Sequence, residues 1–210
     1  MDRIHHKQHK YALKLKQSKT TGDLLLYQHK LHKYNRLEKR MCGGAEYVDA
    51  SQAVPIGSAP GMKVQLLNQD HKTKTYAIIF KPGDEVFSGL SDFAKKYNVT
   101  SAHFTAIGAL RKAKIGWFDV EKKAYKKLLF DQQCEIGSLI GNIALLDGQP
   151  VVHAHMTVGL SDGSSKSGHL LSGFVYPTVE VMMTVEPNAM HKKFNKEIGA
   201  SLIQPGLAKL

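Results

Sequence analysis

Three histidines near the middle of the chain have the residue type and the spacing of a metal site. His153 and His155 lie two residues apart in the segment 150–160, and His169 follows the turn-like segment 161–167. Residues two apart on a β-strand point to the same face of a sheet. A hairpin would bring the third imidazole beside the first two. Three neutral imidazoles that converge from neighbouring strands favour a divalent metal ion, with positions left for water or a ligand.

The spacing alone also fits a simpler structure. The chain has eleven histidines, and a lone His-x-His on a strand is often a hydrogen-bonded surface pair. Asn142 could orient a ligand or could be a turn residue at the end of a strand. Glu180 lies in an apolar segment, so it could be a fourth ligand, an acceptor for an imidazole N–H, or half of an intersubunit salt bridge. His103 and Trp117 are predicted to be core residues.

The elements that must position these residues can be predicted from periodicity. The segment 82–84 begins a helix that ends near Asn98, with one apolar stripe along it. The other periodic segments predict strands, whose predicted ranges are 64–67, 76–80, 101–107, 112–119, 126–130, 135–145, 151–160, 169–175 and 179–185. So many strands with one strong helix predict an α/β (α+β) fold. Its sheet should be mixed, mostly antiparallel, with one main covering helix.

Charge divides the chain into an arm and a domain. Residues 1–40 carry eleven Lys/Arg and three Asp/Glu, which is +8 of the overall net charge of +11. We assign 1–42 to a basic amphipathic N-terminal arm, 43–62 to a linker rich in Pro and Gly, and 63–187 to the domain. The remainder, 188–210, is a C-terminal tail with a possible short helix.

The arm has the pattern of a basic amphipathic helix that begins at Asp23. Its apolar residues recur at intervals of three and four. Basic residues lie between them, and those that could contact nucleic-acid phosphates are Lys30, Lys33, Arg36, Lys39 and Arg40. A solvated face, packing on the domain or a sister subunit, nucleic-acid binding and binding to an anionic membrane all remain open.

About half of the chain, from about Thr75 to Pro187, resembles the PPC domain, also called DUF296. This domain occurs in bacterial and archaeal proteins and in the plant AT-hook nuclear-localised proteins. The matching segments are Gly83-Asp84, Thr105–Leu110, Glu135–Asn142, Gly148–Pro150 with the two histidines after it, Ser167–Leu171 and Thr178–Met182. The resemblance implies an α/β domain that assembles as a homotrimer. It also implies, for the prokaryotic type, that His153, His155 and His169 bind a divalent metal ion, for which we expect zinc.

Two classes of function follow. The first is a trimeric metal-binding protein with a DNA-binding or regulatory role, in which the arm adds salt-dependent attraction to DNA. The Arg-Gly-Arg core of the plant AT-hook does not occur in the sequence. The second is a metal-dependent enzyme of hydrolase or lyase type, in which the metal ion held by the three histidines activates water and a small-molecule ligand is a possible partner.

The sequence predicts a cytoplasmic protein with no transmembrane segment, because no apolar run reaches the length of a signal peptide or of a membrane span. Its two cysteines are Cys42 and Cys134. A disulfide between them is conceivable, but two free thiols are the expectation.

Overall fold

The computed structural model describes residues 10, 11, 13, 14, 22, 23, 26–28, 30, 47–50 and 57–206. The chain divides into two compact units, Met1–Glu46 and Tyr47–Leu210.

In the first unit, all of the described residues are helical. The rings of Tyr11 and Tyr27 stack with their centroids 6.4 Å apart. Lys14 Nζ lies 5.5 Å from the Tyr27 ring centroid, and Lys30 Nζ lies 5.6 Å from that of Tyr11. Residues 22, 23, 26–28 and 30 fall in or beside the helix predicted from Asp23, whereas its later part, from residue 31, lies outside the described residues.

The second unit is built from strands and one helix. The helix, α1, spans Val86–Lys96. The strands are β1 Tyr47–Asp49, β2 Lys63–Asp70, β3 Thr73–Phe80, β4 Ser101–Asp119, β5 Ala124–Phe130, β6 Cys134–Leu146, β7 Gln149–Gly159, β8 Ser165–Val185, β9 His191–Asn195 and β10 Ala200–Ile203.

The strands form one sheet in the order β1-β5-β4-β6-β7-β8-β3-β2. Because β4 also pairs with β8, the strands β4, β6, β7 and β8 close into a ring. Strand β9 pairs in parallel with β6 and antiparallel with β10. The other pairings between the described strands are antiparallel. The predicted fold, a mixed and mostly antiparallel sheet with one main helix, is confirmed.

The helix covers one face of the sheet and is anchored at its first turn by a buried carboxylate. Glu85, which is fully buried, is the N-cap and accepts hydrogen bonds from the backbone N–H groups of Phe87 and Ser88. It also accepts one from Gly173 N on β8, at 2.9 Å. The side chains of Leu90 and Phe93 then bury completely against the sheet. The alternation of buried and exposed residues along the strands therefore gives the sheet an inner face, against the helix, and an outer face.

The C-terminal tail corrects one prediction. A short helix was expected there, but the structure has the hairpin of β9 and β10. Asn195 ends β9, and its Oδ1 accepts hydrogen bonds from the backbone N–H groups of Glu197 and Ile198. Gly199 then has φ +78°, a conformation that side chains disfavour. This turn chemistry reverses the chain, and the apolar positions that suggested a helix lie on strands.

Three smaller differences concern elements and burial. Strand β1 lies within the predicted linker and pairs with β5. The two predicted strands at 101–107 and 112–119 form the single strand β4. At Gly108 the strand continues through a shift in register. Gly108 has φ +138° and no side chain, so Thr178 O can lie close to its backbone. Trp117, predicted to be in the core, is 58% exposed.

Among the described residues, no helix has the length and the apolar character needed to cross a bilayer. The thiol of Cys134 is buried and free, and Cys42 lies outside the described residues.

Candidate metal centre

The histidines lie on the outer face of the sheet. On β7 the side chains of Val152, Ala154 and Met156 are buried in the core. The alternation of the strand therefore turns His153 and His155 to the opposite face. His155 is the direct cross-strand partner of His169 on β8.

The three imidazoles converge. Their ring centroids are 5.3 Å apart for His153 and His155, 5.1 Å for His153 and His169, and 5.7 Å for His155 and His169. One nitrogen from each ring can be chosen so that all three lie within 4.8 Å of one another. Two nitrogens on one tetrahedral zinc ion lie about 3.3 Å apart, for Zn–N distances of about 2.05 Å. Rotation of the imidazole rings would bring their nitrogens to this shorter separation.

Burial keeps two of the rings neutral. Loss of solvation first, and then the charges of His153, His155 and Lys192, lower the pKa of His169 to about 3. For His153, burial first and then Lys192 and His155 lower the pKa to about 4. Neutral imidazoles have the free lone pair that a metal ion needs.

One buried imidazole nitrogen, in His169, lacks a hydrogen-bond partner among the described residues. His169 is 6% exposed, and its Nδ1 is buried without a hydrogen-bond partner among the described residues. A buried polar atom with no partner costs about 1 to 3 kcal/mol. A cation coordinated at this nitrogen would supply the missing partner. The residues present therefore fit a divalent ion such as zinc, for which imidazole is a common ligand.

An aromatic ring holds His169 in place. Tyr125 on β5 stacks on the imidazole with the ring centroids 4.4 Å apart and the planes 11° from parallel. Gly116, the partner of His169 on β4, makes room for Tyr125. A Cβ added at Gly116 would lie 2.8 Å from Tyr125 Cβ. The glycine and the tyrosine therefore form a support for the buried histidine.

Lys192, on β9, was not foreseen from the sequence. Its side chain is 6% exposed, and burial lowers its pKa to about 8, so the ammonium is still the major form at pH 7. The structure gives it no ion pair and no hydrogen bond within the described part of the chain. The burial of Lys192 could not be predicted because the tail was expected to be helical. Only the alternation of a strand distinguishes Lys192 from the exposed Lys193.

A cavity of about 420 Å³ opens beside the triad. It is lined by His103, Phe104, Ile140, Gly141, Asn142, His153, Ala154 and His155. Asn142 is the cross-strand partner of His153, and its Oδ1 is buried without a partner among the described residues. His103, predicted to be a core residue, instead has an exposed side chain 3.6 Å from Glu186. The alternation along β4 places His103 on the outer face. The apolar neighbours of His103 in the sequence did not indicate this exposure.

Other predicted site residues are not brought to this place. Glu180 is exposed on the other half of β8, where it is the partner of Ile79 and Ile107. It is not part of the group of candidate metal ligands among the described residues. Glu180 lies eleven residues beyond His169 on β8, so a position in the same strand does not imply proximity. Lys30 contacts Tyr11, and the other basic residues of the predicted nucleic-acid surface, Lys33, Arg36, Lys39 and Arg40, lie outside the described residues.

Residues 68–186 match the family model of the Plants and Prokaryotes Conserved (PCC) domain. The chain belongs to this family. The match confirms the resemblance to the PPC domain, and the three histidines lie within the matched residues. No curated protein matches the chain.

Several solved structures share the fold of this chain. A plant- and prokaryote-conserved (PPC) protein of Pyrococcus horikoshii is 33% identical, with a TM-score of 0.59, and the match covers 68% of this chain and 94% of that one. A metal-containing protein of Archaeoglobus fulgidus is 28% identical, with a TM-score of 0.58 and coverage of 68% and 97%. A protein of Bacteroides thetaiotaomicron, described provisionally as DNA-binding, is 28% identical, with a TM-score of 0.61 and coverage of 65% and 94%.

Proposed function

We propose that this PCC-domain protein is a trimeric metal-binding protein with a DNA-binding or regulatory role. His153, His155 and His169 hold the ion, for which zinc is the expected metal. The observation that carries this proposal is the convergence of three imidazole nitrogens within 4.8 Å of one another. The similar Archaeoglobus fulgidus protein, which is metal-containing, supports it.

Metal content tests the site. The purified wild-type protein should retain about one zinc ion per chain after desalting, as structural zinc sites do. His153→Ala, His155→Ala and His169→Ala should each lose most of it. The matched control is His71→Ala, since His71 lies on an exposed turn beside Asp70. Equal metal content in all four variants would contradict the site.

An apolar patch on the outer face supports the trimer. The side chains of Ile107, Ile140 and Met182 are 63%, 55% and 52% exposed. Thr105 is the cross-strand partner of both Ile140 and Met182, and Ile107 lies two residues further along the same face. Adjacent exposed apolar side chains of this size indicate a protein interface. The patch adjoins the metal centre, because Ile140 is the cross-strand partner of His155.

Sedimentation equilibrium tests the assembly. The wild-type protein should have the mass of a trimer, and Ile140→Lys should shift it towards the monomer because the charge would be buried in the interface. Leu66→Lys is the matched control, since Leu66 is 48% exposed on β2, at the edge of the sheet. A monomeric wild-type protein would contradict the proposed trimer.

The basic arm supports the DNA-binding role. Residues 1–40 hold +8 of the net charge of +11, and lysines and arginines that neutralise phosphates release counterions. The Bacteroides thetaiotaomicron protein and a Ralstonia eutropha protein, 29% identical, are both described provisionally as DNA-binding. Such binding would be salt-dependent and largely independent of sequence.

Salt dependence measures the contribution of the arm. In the full chain, the five basic residues Lys30, Lys33, Arg36, Lys39 and Arg40 are replaced by Gln. Affinity for duplex DNA should fall, and the slope of log K against log salt should decrease by about 0.9 for each phosphate that the protein no longer neutralises. The matched control replaces five exposed domain lysines, Lys63, Lys72, Lys95, Lys96 and Lys166. An equal effect of both sets would contradict a specific role of the arm.

The cavity favours a second function, a metal-dependent enzyme of hydrolase or lyase type. It reaches His153 and His155, so a small-molecule ligand has access to the triad. A metal ion bound there would supply Lewis acidity and lower the pKa of bound water. Hydrolysis of a panel of esters and phosphoesters by the metal-loaded protein, lost in His155→Ala, would favour this function over a purely binding role.

A further inference from the structure

Asn142, which lines the cavity beside the triad, has a buried polar atom without a partner. Its Oδ1 is removed from solvent and accepts no hydrogen bond from any described residue. A buried acceptor without a donor destabilises the protein unless a bound molecule supplies the donor. The cavity therefore contains a hydrogen-bond acceptor that the protein itself leaves free within its described part.

The strand register places Asn142 directly beside the candidate metal ligands. Asn142 on β6 is the cross-strand partner of His153 on β7. The Cβ atoms of directly opposed residues in antiparallel strands lie about 4.5 to 5.5 Å apart. His153 and His155 line the same cavity. A ligand in the cavity can therefore contact the side chain of Asn142 and an ion held by the histidines at the same time.

His103 forms the opposite wall of the cavity. It lies on β4 and is the other cross-strand partner of Asn142, so His103, Asn142 and His153 form a row across β4, β6 and β7. Adjacent strands lie about 4.8 Å apart, so the two histidines of this row stand on strands roughly twice that distance apart. Because Asn142 lies between them, its amide meets the part of a ligand that is next to the ion.

Close packing beneath the cavity holds Asn142 in place. A Cβ added at the preceding residue, Gly141, would lie 2.5 Å from Phe104 Cζ and 2.5 Å from His153 O. The missing side chain therefore lets β6 lie close to β7 and to the buried ring of Phe104. An acceptor fixed in this way binds a donor with little further loss of conformational freedom.

We propose that Asn142 selects ligands of the metal centre that carry a hydrogen-bond donor, an N–H or O–H group, next to the oxygen that coordinates the ion. The inference rests on the proposed metal site. The ion binds the ligand's oxygen, and the neighbouring donor satisfies Asn142 Oδ1. Amides, hydroxamates and hydroxy acids have this arrangement of groups. A ligand with a methyl group in place of the donated hydrogen leaves Oδ1 unsatisfied and binds more weakly.

Calorimetric titration of the zinc-loaded full-length protein with two matched pairs of ligands tests this selection. Acetohydroxamate has an N–H group that N-methylacetohydroxamate lacks, and glycolate has an O–H group that methoxyacetate lacks. The wild-type protein should bind the donor-bearing member of at least one pair about tenfold more tightly, and that pair identifies the donor. This preference is measured without any substitution.

Two variants assign the preference to the amide. Asn142→Leu has a side chain of similar size without the acceptor, so it should bind both members of each pair nearly equally. Asn68→Leu makes the same replacement at an exposed position of the edge strand β2 and is the matched control. It should keep the preference of the wild-type protein.

The zinc content and the mass of the assembly are measured for every variant. A wild-type protein without bound zinc would contradict the metal site and, with it, this inference. If the zinc-loaded wild-type protein binds none of the four ligands or binds both members of each pair equally, or if Asn142→Leu keeps the preference, the inference alone is wrong. A fall in the mass of zinc-loaded Asn142→Leu to that of a monomer would also contradict it, since it would assign Asn142 to a subunit contact.

Discussion

Tyr125 lies flat on the imidazole of His169, with 4.4 Å between the ring centroids and 11° between the ring planes. The contact joins β5 to β8 across β4, which pairs with both strands. It fixes the orientation of the most buried of the three histidines. A residue that binds no metal ion therefore determines whether one of the candidate ligands is pre-positioned.

Replacing Tyr125 by Ala should weaken zinc binding by about tenfold, the lower range for losing a residue that orients a metal ligand. The imidazole of His169 would gain rotational freedom and exposure. Tyr125→Phe keeps the stacked ring and should bind zinc like the wild-type protein. Competition against a zinc-sensitive dye measures both affinities, and equal affinities for the Ala and Phe variants would contradict the role of the ring.

Gly116→Ala should destabilise the protein by crowding Tyr125. Its new Cβ would lie 2.8 Å from Tyr125 Cβ, so the tyrosine or β4 must move. Overpacking of this kind costs about 1 to 3 kcal/mol of unfolding free energy. Gly137→Ala is the matched control, because its Cβ would meet only Thr157, at 3.8 Å or more. The unfolding free energies of the two variants, measured in urea, should differ by this amount. Equal unfolding midpoints would show that β4 moves to accommodate the new methyl group without cost.

Acid should destabilise the metal-free protein. The unfolded histidines titrate near 6.5, whereas the folded pKa values are about 4 for His153 and about 3 for His169. The unfolded state then binds more protons between about pH 6.5 and pH 3, so the free energy of unfolding falls as the pH falls through this window. The charged or titratable groups acting on these rings are His155 and Lys192, with Tyr125 stacked on His169.

Urea unfolding in the presence of a chelator, at about pH 7.5 and about pH 5, measures this dependence. A double variant, His153→Gln with His169→Gln, should lose much less stability over the same interval than the wild-type protein. An identical loss in both proteins would assign the acid sensitivity to other groups.

Glu85 should be important for stability rather than for metal binding. Glu85→Ala removes the acceptor of the backbone N–H groups of Phe87, Ser88 and Gly173. Leaving buried donors unsatisfied and removing the helix cap should cost about 3 kcal/mol or more. Glu121→Ala, at an exposed turn, is the control. Thermal unfolding measures the loss, and a change as small as that of the control would contradict the anchoring role.

The fold and the convergence of His153, His155 and His169 could be predicted because local patterns determine them. Alternation placed the first two imidazoles on one face, and turn composition placed the third beside them. The strand register, with His155 opposite His169, is the physical basis of that success.

Lys192, Tyr125 and Glu180 show what the sequence could not provide. Their distances from the triad depend on how the ring of strands closes and where the terminal hairpin lies, and these are long-range features. Glu180 was selected because its segment is apolar, but the outer face of β8 exposes it. Tyr125 reaches His169 from β5, which lies beyond β4 in the sheet, and the charge of Lys192 on β9 also acts on the His169 ring.

The most direct test of the metal centre is an anomalous difference map recorded at the zinc edge from crystals of the zinc-loaded protein. We expect one strong peak per chain, about 2.0 to 2.1 Å from one nitrogen of each of His153, His155 and His169. No peak at the three imidazoles, or a peak bound by other residues, would contradict the account.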